Sequence, residues 1–416
     1  MTRVRRDRSG PPLFPLREVV LGALLPSLLF GVGIGIVLPL IPTTAIRLGA
    51  DLATAGFAAA LLPIGKVVAD VPAGALAARI GDRRAMILAA GLGLLGFAGC
   101  ALAPTLLLLQ ASVFALGAST AVFHLARHAY LTEVTAVQHR ARVLSTLGGM
   151  HRLGYFIGPF VGAVAVAGSS LRPAYWLATG LLLLALIVLL AAQDGDGGRS
   201  SGNGAARPRK TVWQVAREHR RLLLTLGAAT TLVGAVRGAR QTVIPLWGEA
   251  LGLDPEVISV VFGISGALDM LLFYPAGKVM DHYGRLWIGV PSMLVMGVSL
   301  AVLPLVSSVP AVAAVAALLG IGNGIGAGII MTVGADVAPP EDRASFLGLW
   351  RIFQDVGDAS GPLVLAAGAA VGSLAAGIWA TAGLSAAAAG ALARWVPRYS
   401  EHATRGTRQR ALSPGG

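Results

Sequence analysis

Apolar residues fall into twelve long runs separated by short polar loops. They lie near 17–42, 52–78, 85–103, 105–133, 140–168 and 173–193, then near 217–247, 255–281, 286–305, 309–337, 343–369 and 372–394. A helix of about 20 residues crosses a bilayer and satisfies its own backbone groups there, so each run predicts a membrane-spanning helix. Residues 194–210 are rich in Gly, Ser and Arg without apolar periodicity, the composition of a flexible, solvated linker. The organisation expected is a tail (1–16), a six-helix bundle (17–193), a linker (194–214), a second six-helix bundle (215–396) and a polar, disordered tail (397–416). Residues 3–17 and the apolar run after them imitate a signal peptide. The run is too long for that and no small-x-small cleavage pattern follows, so it reads as a retained first span.

The two sets of six repeat each other. A shift of 203 residues carries Pro72, Gly74 and Gly81 onto Pro275, Gly277 and Gly284, and Gly31, Gly35 and Pro42 onto Gly234, Gly238 and Pro245. The same shift carries Gly154, Gly158 and Pro159 onto Gly357, Gly361 and Pro362, and Trp176 and Gly180 onto Trp379 and Gly383. So many coincidences at one ungapped offset mean a duplicated unit of about 200 residues.

Composition narrows the partners. Of 416 residues 55% are hydrophobic and 13% charged, about half the charged fraction of a soluble domain. A net charge of +13 would suit nucleic acid, but the basic residues sort by side instead. The two ends, the linker and the loops after the second, fourth, eighth and tenth helices hold 25 of the 33 Lys and Arg. The opposite loops hold Arg47 and Arg172, and six more lie inside the spans. Cytoplasmic loops carry such an excess. The expectation is a multi-pass protein of the bacterial inner membrane, both termini and the linker cytoplasmic, with no nucleic acid as partner. Cys100 is the sole cysteine, which excludes an internal disulfide and a Cys-based metal site.

Three motifs carry more specific chemistry. After the eighth helix, Gly277, Asp281, Gly284 and Arg285 form Gly-x-x-x-Asp-x-x-Gly-Arg. The first copy keeps Gly74, Gly81, Arg83 and Arg84 but has Ala78 in place of the Asp. The basic residues also obey the positive-inside rule, whereas Asp281 does nothing for topology. On the fifth helix Gly154, Gly158 and Gly162 recur every fourth residue and clear one face for close backbone approach. Pro159 removes one internal hydrogen bond and permits a bend. Plain small-residue packing would use the same glycines.

Six plus six helices in parallel repeats, with these motifs, resemble the major facilitator superfamily over about residues 17–396. Within it they resemble the twelve-helix drug:proton antiporter branch. The resemblance implies an all-α membrane fold of two six-helix bundles and a transporter, not an enzyme, working by alternating access. It also implies loops that latch the cytoplasmic ends of the halves together in the outward-open state. The fifth-helix motif, here with Ala163 for its last glycine, would pack the halves together at the outer side. One departure matters: the family's fourth helix often carries Arg-x-x-Gln-Gly, and this chain has Val113, Leu116 and Gly117 there. Any proton route must use other groups.

Charges inside the spans are costly unless they face a cavity or a partner. They are Lys66 and Asp70 on the second helix, Arg127 on the fourth, Arg152 on the fifth, Arg237 and Arg240 on the seventh, Asp269 on the eighth, and Arg351, Asp355 and Asp358 on the eleventh. Helices 3, 6, 9 and 12 have none; in the resembling family those four face lipid and the others surround a central cavity. Arg237, Arg240 and Gln241 share a face, as do Arg351, Asp355 and Asp358, and Lys66 can close on Asp70 one turn away. Arg127, near a helix end, reads as a snorkelling side chain. His124 and His128 lack further ligands and read as polar cavity groups, so no metal is expected. Fixed ion pairs would use the same residues, but buried pairs stabilise poorly relative to apolar replacements. The expectation is therefore a proton and substrate cavity built from Lys66, Asp70, His124, Arg152, Arg237, Arg240, Gln241, Asp269, Arg351, Asp355 and Asp358. Asp355 and Asp269 would carry protons, Arg351 would partner Asp355, and Arg237 and Arg240 would hold the substrate or Asp269.

No phosphate-binding Gly-Lys-Ser loop or cofactor motif occurs, so ATP drive and cofactors are not expected. The function expected is secondary active transport, as proton-coupled efflux of small organic molecules by a monomer in the lipid bilayer. Import of a small organic anion or nutrient is the rival, favoured by six basic against four acidic intramembrane residues. A non-transporting receptor or scaffold is the rival from another class, and it would need neither the repeated loop motif nor the charged interior.

Overall fold

A computed structural model describes residues 19–135, 137–166, 170–192 and 212–407. The apolar runs form α1 (19–47), α2 (Leu52–Ile80), α3 (Asp82–Leu102), α4 (Leu106–Val134), α5 (Val137–Val166) and α6 (Arg172–Ala191). The second half gives α7 (Arg220–Ala250), α8 (Pro255–Tyr283), α9 (Leu286–Leu305), α10 (Val309–Val337), α11 (Arg343–Ala370) and α12 (Leu374–Tyr399). Ten of these are apolar and long enough to cross a membrane. The other two, α5 and α11, are 30 and 28 residues long and carry Arg152 and the Arg351–Asp355–Asp358 stripe.

Proline and glycine set the joints. α1 breaks at Leu38–Pro39 and restarts at Leu40, because Pro39 cannot donate to the preceding turn. Gly81 and Gly284 end α2 and α8 at φ of 87° and 105°, a region glycine enters without strain. One wide π-helical turn opens α1 (Val20–Leu24) and recurs in α7 (Leu223–Gly227), again 203 residues on. The duplication thus extends to a backbone irregularity.

Glycines decide which helices touch. A Cβ on Gly154 would stand 2.7 Å from the Gly31 backbone, and one on Gly158 would stand 2.6 Å from Gly35. In the second half, a Cβ on Gly234 would stand 2.6 Å from the Gln354 carbonyl and 3.1 Å from Gly357. The α1–α5 and α7–α11 interfaces are the same backbone-to-backbone contact made twice. The Gly154–Gly158–Gly162 face therefore packs α5 onto α1 within the first half, which corrects its assignment between the halves. The contact across to α8 is made by neighbouring rings, Phe160 over Gly263 and Phe156 toward Gly266.

The halves meet chiefly through α2 with α11 and α5 with α8. Helices α3, α6, α9 and α12 turn Leu95, Leu190, Trp287 and Trp379 outward, a bare apolar surface of the kind lipid covers. The tail expected from residue 397 needs correction. α12 runs to Tyr399, and the carbonyls of His402 and Ala403 accept from the backbone N–H groups of Arg285 and Leu286 at 3.2 and 3.1 Å. That segment is docked on the α8–α9 loop because it satisfies donors left orphaned at the start of α9. Residues 194–211 of the expected linker lie outside the described residues, and a short helix (Val212–Glu218) follows them.

Candidate functional site

A cavity of about 390 Å³ lies between the halves, the size of a small-ligand site. Nine of the eleven expected residues line it: Lys66, His124, Arg152, Arg237, Arg240, Gln241, Asp269, Asp355 and Asp358. Asp70 and Arg351 do not, but both stand against Asp355. Lys66 bypasses Asp70 and donates from Nζ to Asp355 Oδ1 at 2.5 Å, across from the first half to the second. This corrects the expected Lys66–Asp70 closure. Asp355 is only 2% exposed, so of the two carboxyls it loses more hydration and gains more from a cation. Arg351 Nε adds a second contact to Asp355 at 3.4 Å.

A second centre forms on α8. Asp269 Oδ2 accepts from Asn323 Nδ2 at 2.8 Å and from Arg240 Nη2 at 3.3 Å, and Arg152 Nη1 of the first half stands 3.7 Å from Oδ1. Arg240 also donates to Ser265 Oγ at 3.1 Å, and Arg237 donates to the Gly326 carbonyl. The two ion pairs across the cavity are one contact repeated with its signs exchanged. The 203-residue shift carries Lys66 onto Asp269 and Arg152 onto Asp355. The α2–α11 pair, cation to anion, recurs as the α8–α5 pair, anion to cation. The first half supplies both cations and the second half both anions.

The Major Facilitator Superfamily profile matches residues 24–239 and 226–414. The chain belongs to this family. It is a multi-pass membrane protein of the major facilitator type. It is 25% identical over 269 residues to an uncharacterized MFS-type transporter of Mycobacterium tuberculosis, covering 64% of this chain and 36% of that one. An MFS-type transporter of Salmonella typhimurium is 31% identical over 202 residues, covering 47% and 49%. Multidrug resistance protein 2 of Bacillus subtilis is 21% identical over 275 residues, covering 61% and 64%. The chain thus spans less than two thirds of the length of these relatives. Among solved structures, a POT family transporter superposes with a TM-score of 0.75 at 14% identity over 92% of this chain and 96% of that one. A D-xylose-proton symporter gives 0.69 at 14% identity over 94% and 98%. These likenesses establish the twelve-helix major facilitator fold.

The two ends of the cavity differ. Beside Asp51 and Asp254, Thr43 Oγ1 donates to Glu249 across the halves, and Gly56 lies under Leu246 and Ala366. At the other end, a Cβ on Gly74 or Gly277 would meet nothing within 4 Å. The halves are bonded to each other at the first end, whereas at the end that carries the motif loops the space beside Gly74 and Gly277 is open.

Each loop, in this state, is fastened to its own half. Arg285 Nε and Nη2 fork onto Asp336 of α10 at 2.9 and 3.2 Å, and Ser400 Oγ donates to the same carboxylate at 3.1 Å. Asp281, 77% exposed, stands 3.6 Å from Arg285. Arg83 donates to the carbonyls of Leu189 (2.8 Å) and Ala192 at the end of α6.

Arg127 was misplaced by position along its helix. It is 3% exposed and lines the cavity instead of snorkelling. His151, Tyr155, Asn323 and Gln354 also line it. They are uncharged, so the cost of burying charge could not single them out. The 203-residue register does pick out one of them, because His151 falls on Gln354.

Proposed function

We propose that this transporter sits in a bacterial inner membrane and couples proton entry to the efflux of small organic molecules, acting as a monomer. The observation that carries the reading is the pair of contacts Lys66–Asp355 and Arg152–Asp269, each joining the halves through a carboxylate. A proton taken up by Asp355 removes the charge that holds Lys66, and one taken up by Asp269 releases Arg152. Each exchange changes which opening of the cavity is favoured, and coupling requires that difference. The sorting of basic residues supports cytoplasmic termini and motif loops. On that orientation the cavity faces the cytoplasm, the loading state of an exporter. Phe156, Phe262 and Met270 give it apolar wall beside the charges, which suits amphipathic cargo, and the likeness to a Bacillus multidrug resistance protein supports the same class.

Import of a small organic anion is the second reading. Five cations line the cavity (Lys66, Arg127, Arg152, Arg237 and Arg240) against three carboxylates (Asp269, Asp355 and Asp358).

Proteoliposomes test the coupling. Asp355→Asn and Asp269→Asn should lose gradient-driven accumulation yet keep exchange down a concentration difference. If both still accumulate substrate against a gradient, the carboxylates are structural and the coupling scheme fails. Right-side-out against inside-out vesicles decide direction. With Cys100 replaced, cysteine labels at 195–210 should react only from the cytoplasm and labels at 47–51 or 252–255 only from outside. The reverse pattern overturns the orientation.

A further inference from the structure

We infer that Arg127, together with His124, forms a subsite for the anionic headgroup, a carboxylate or a phosphate monoester, of the transported molecule. The inference rests on the transport reading above and names the class of its cargo. Four of the five cations lining the cavity are engaged: Lys66 by Asp355, Arg152 and Arg240 by Asp269, and Arg237 by the Gly326 carbonyl. Arg127 has neither a hydrogen bond nor an ion pair among the described residues. It is 3% exposed, and its Nε and Nη1 are buried without a partner. One turn earlier on α4, His124 Nε2 is likewise buried and unpartnered.

Two of the three guanidinium nitrogens are thus cut off from water without a hydrogen bond in return, a state that buried polar groups rarely keep. Its planar fork fits two oxygens of a carboxylate or phosphate at once. The titratable groups nearest it are the Tyr155 phenol and the like-charged Arg351, so among the described residues no carboxylate competes for the fork. The Phe123 ring, 6.0 Å from the guanidinium carbon, is too weak a partner to replace an anion. The subsite has no counterpart in the second half, where the register of His124 and Arg127 holds Ala327 and Ile330. An anionic cargo would therefore bind in one orientation, headgroup on the first half and apolar body against Phe156 and Phe262.

The test is equilibrium binding of radiolabelled benzoate and phenyl phosphate to the full chain in phosphatidylcholine nanodiscs, where no anionic lipid can occupy the site. At least one anion should bind saturably, and the neutral isostere benzamide should not compete. Arg127→Gln should weaken that binding about tenfold or more, as loss of a charged hydrogen-bonding partner does, and Arg127→Lys should fall between. Absence of saturable binding by both anions, equal competition by benzamide, or wild-type affinity in Arg127→Gln each overturns the subsite. The benzamide comparison needs no variant, so it decides even if Arg127→Gln fails to fold. Proton-driven transport with no anion binding would sink the subsite alone, and anion binding with no transport would sink the transport reading alone.

Discussion

The first half of the molecule sets Lys66, Arg127 and Arg152 within its spans with Asp70 as its single intramembrane acid, whereas the second sets Asp269, Asp355 and Asp358 beside Arg237, Arg240 and Arg351. The backbones of the halves are copies. The glycine contacts of α1 with α5 return in α7 with α11, and so does the π turn. What differs is the charge set into the shared register. Positions where helix backbones touch admit no side chain, so they stay alike in both copies. Positions facing the cavity tolerate side chains of any kind, and there Lys66 and Arg152 of one copy become Asp269 and Asp355, of opposite sign, in the other. At the cavity the result sorts chemistry by half: the cations of the two ion pairs across it, Lys66 and Arg152, are in one half, and the carboxylates that meet them, Asp355 and Asp269, are in the other.

The two crossing contacts are unequal, which predicts the largest effects. Asp355 is 2% exposed, 2.5 Å from Lys66 and also touched by Arg351. Asp269 is 14% exposed and 3.7 Å from Arg152. Removing one partner of a buried pair costs about 3–5 kcal/mol, so Asp355→Asn should abolish proton-driven accumulation and lower thermal stability more than Asp269→Asn does. A double-mutant cycle on Lys66→Met and Asp355→Leu should show coupling of about 0.5–3 kcal/mol, and the cycle on Arg152→Met and Asp269→Leu should show less. Equal couplings would erase the distinction between a tight and a loose contact.

The motif loops should respond next. Arg285 holds Asp336 with a two-pronged contact and is 8% exposed, so Arg285→Gln should destabilise by about 1–3 kcal/mol, the cost of stranding a buried partner. Asp281→Asn should leave stability nearly unchanged, because Asp281 is 77% exposed, while impairing transport through the state in which this end closes. Normal transport in Asp281→Asn would reduce that residue to a surface charge.

How much of this was legible in the sequence depended on what kind of force placed each residue. The helices follow from apolar runs, and the repeat from Pro and Gly at fixed offset, because bilayer thickness and backbone contact leave few alternatives. That Lys66, Asp269 and Asp355 face a cavity follows from the cost of charge in hydrocarbon. Partner choice did not follow. Lys66 has Asp70 one turn away, yet the decisive quantity is the burial of Asp355, 289 residues distant. Arg127 was misread because depth along a helix says nothing of the face presented. The glycines of α5 were assigned to the wrong neighbour because a cleared face does not name the helix that fills it.

The smallest effect expected lies where the halves begin their second helices. Asp51 caps α2, its Oδ1 accepting from the Thr54 backbone N–H at 2.8 Å. Asp254, its equivalent 203 residues on, makes no such side-chain bond at α8, where Pro255 follows it. The hydrogen bonds from the Thr54 side chain and backbone hold the Asp51 carboxyl below the ordinary carboxylate range. A carboxyl depressed in the folded state binds fewer protons there than when unfolded. Its stabilisation is therefore complete above the ordinary value and disappears as pH falls through the folded one. Thermal melts of wild type and Asp51→Ala should differ slightly at neutral pH and converge below about pH 4. Asp254→Ala should track wild type throughout, and a pH-dependent gap there as large as that of Asp51→Ala would mean that the two loops are capped alike.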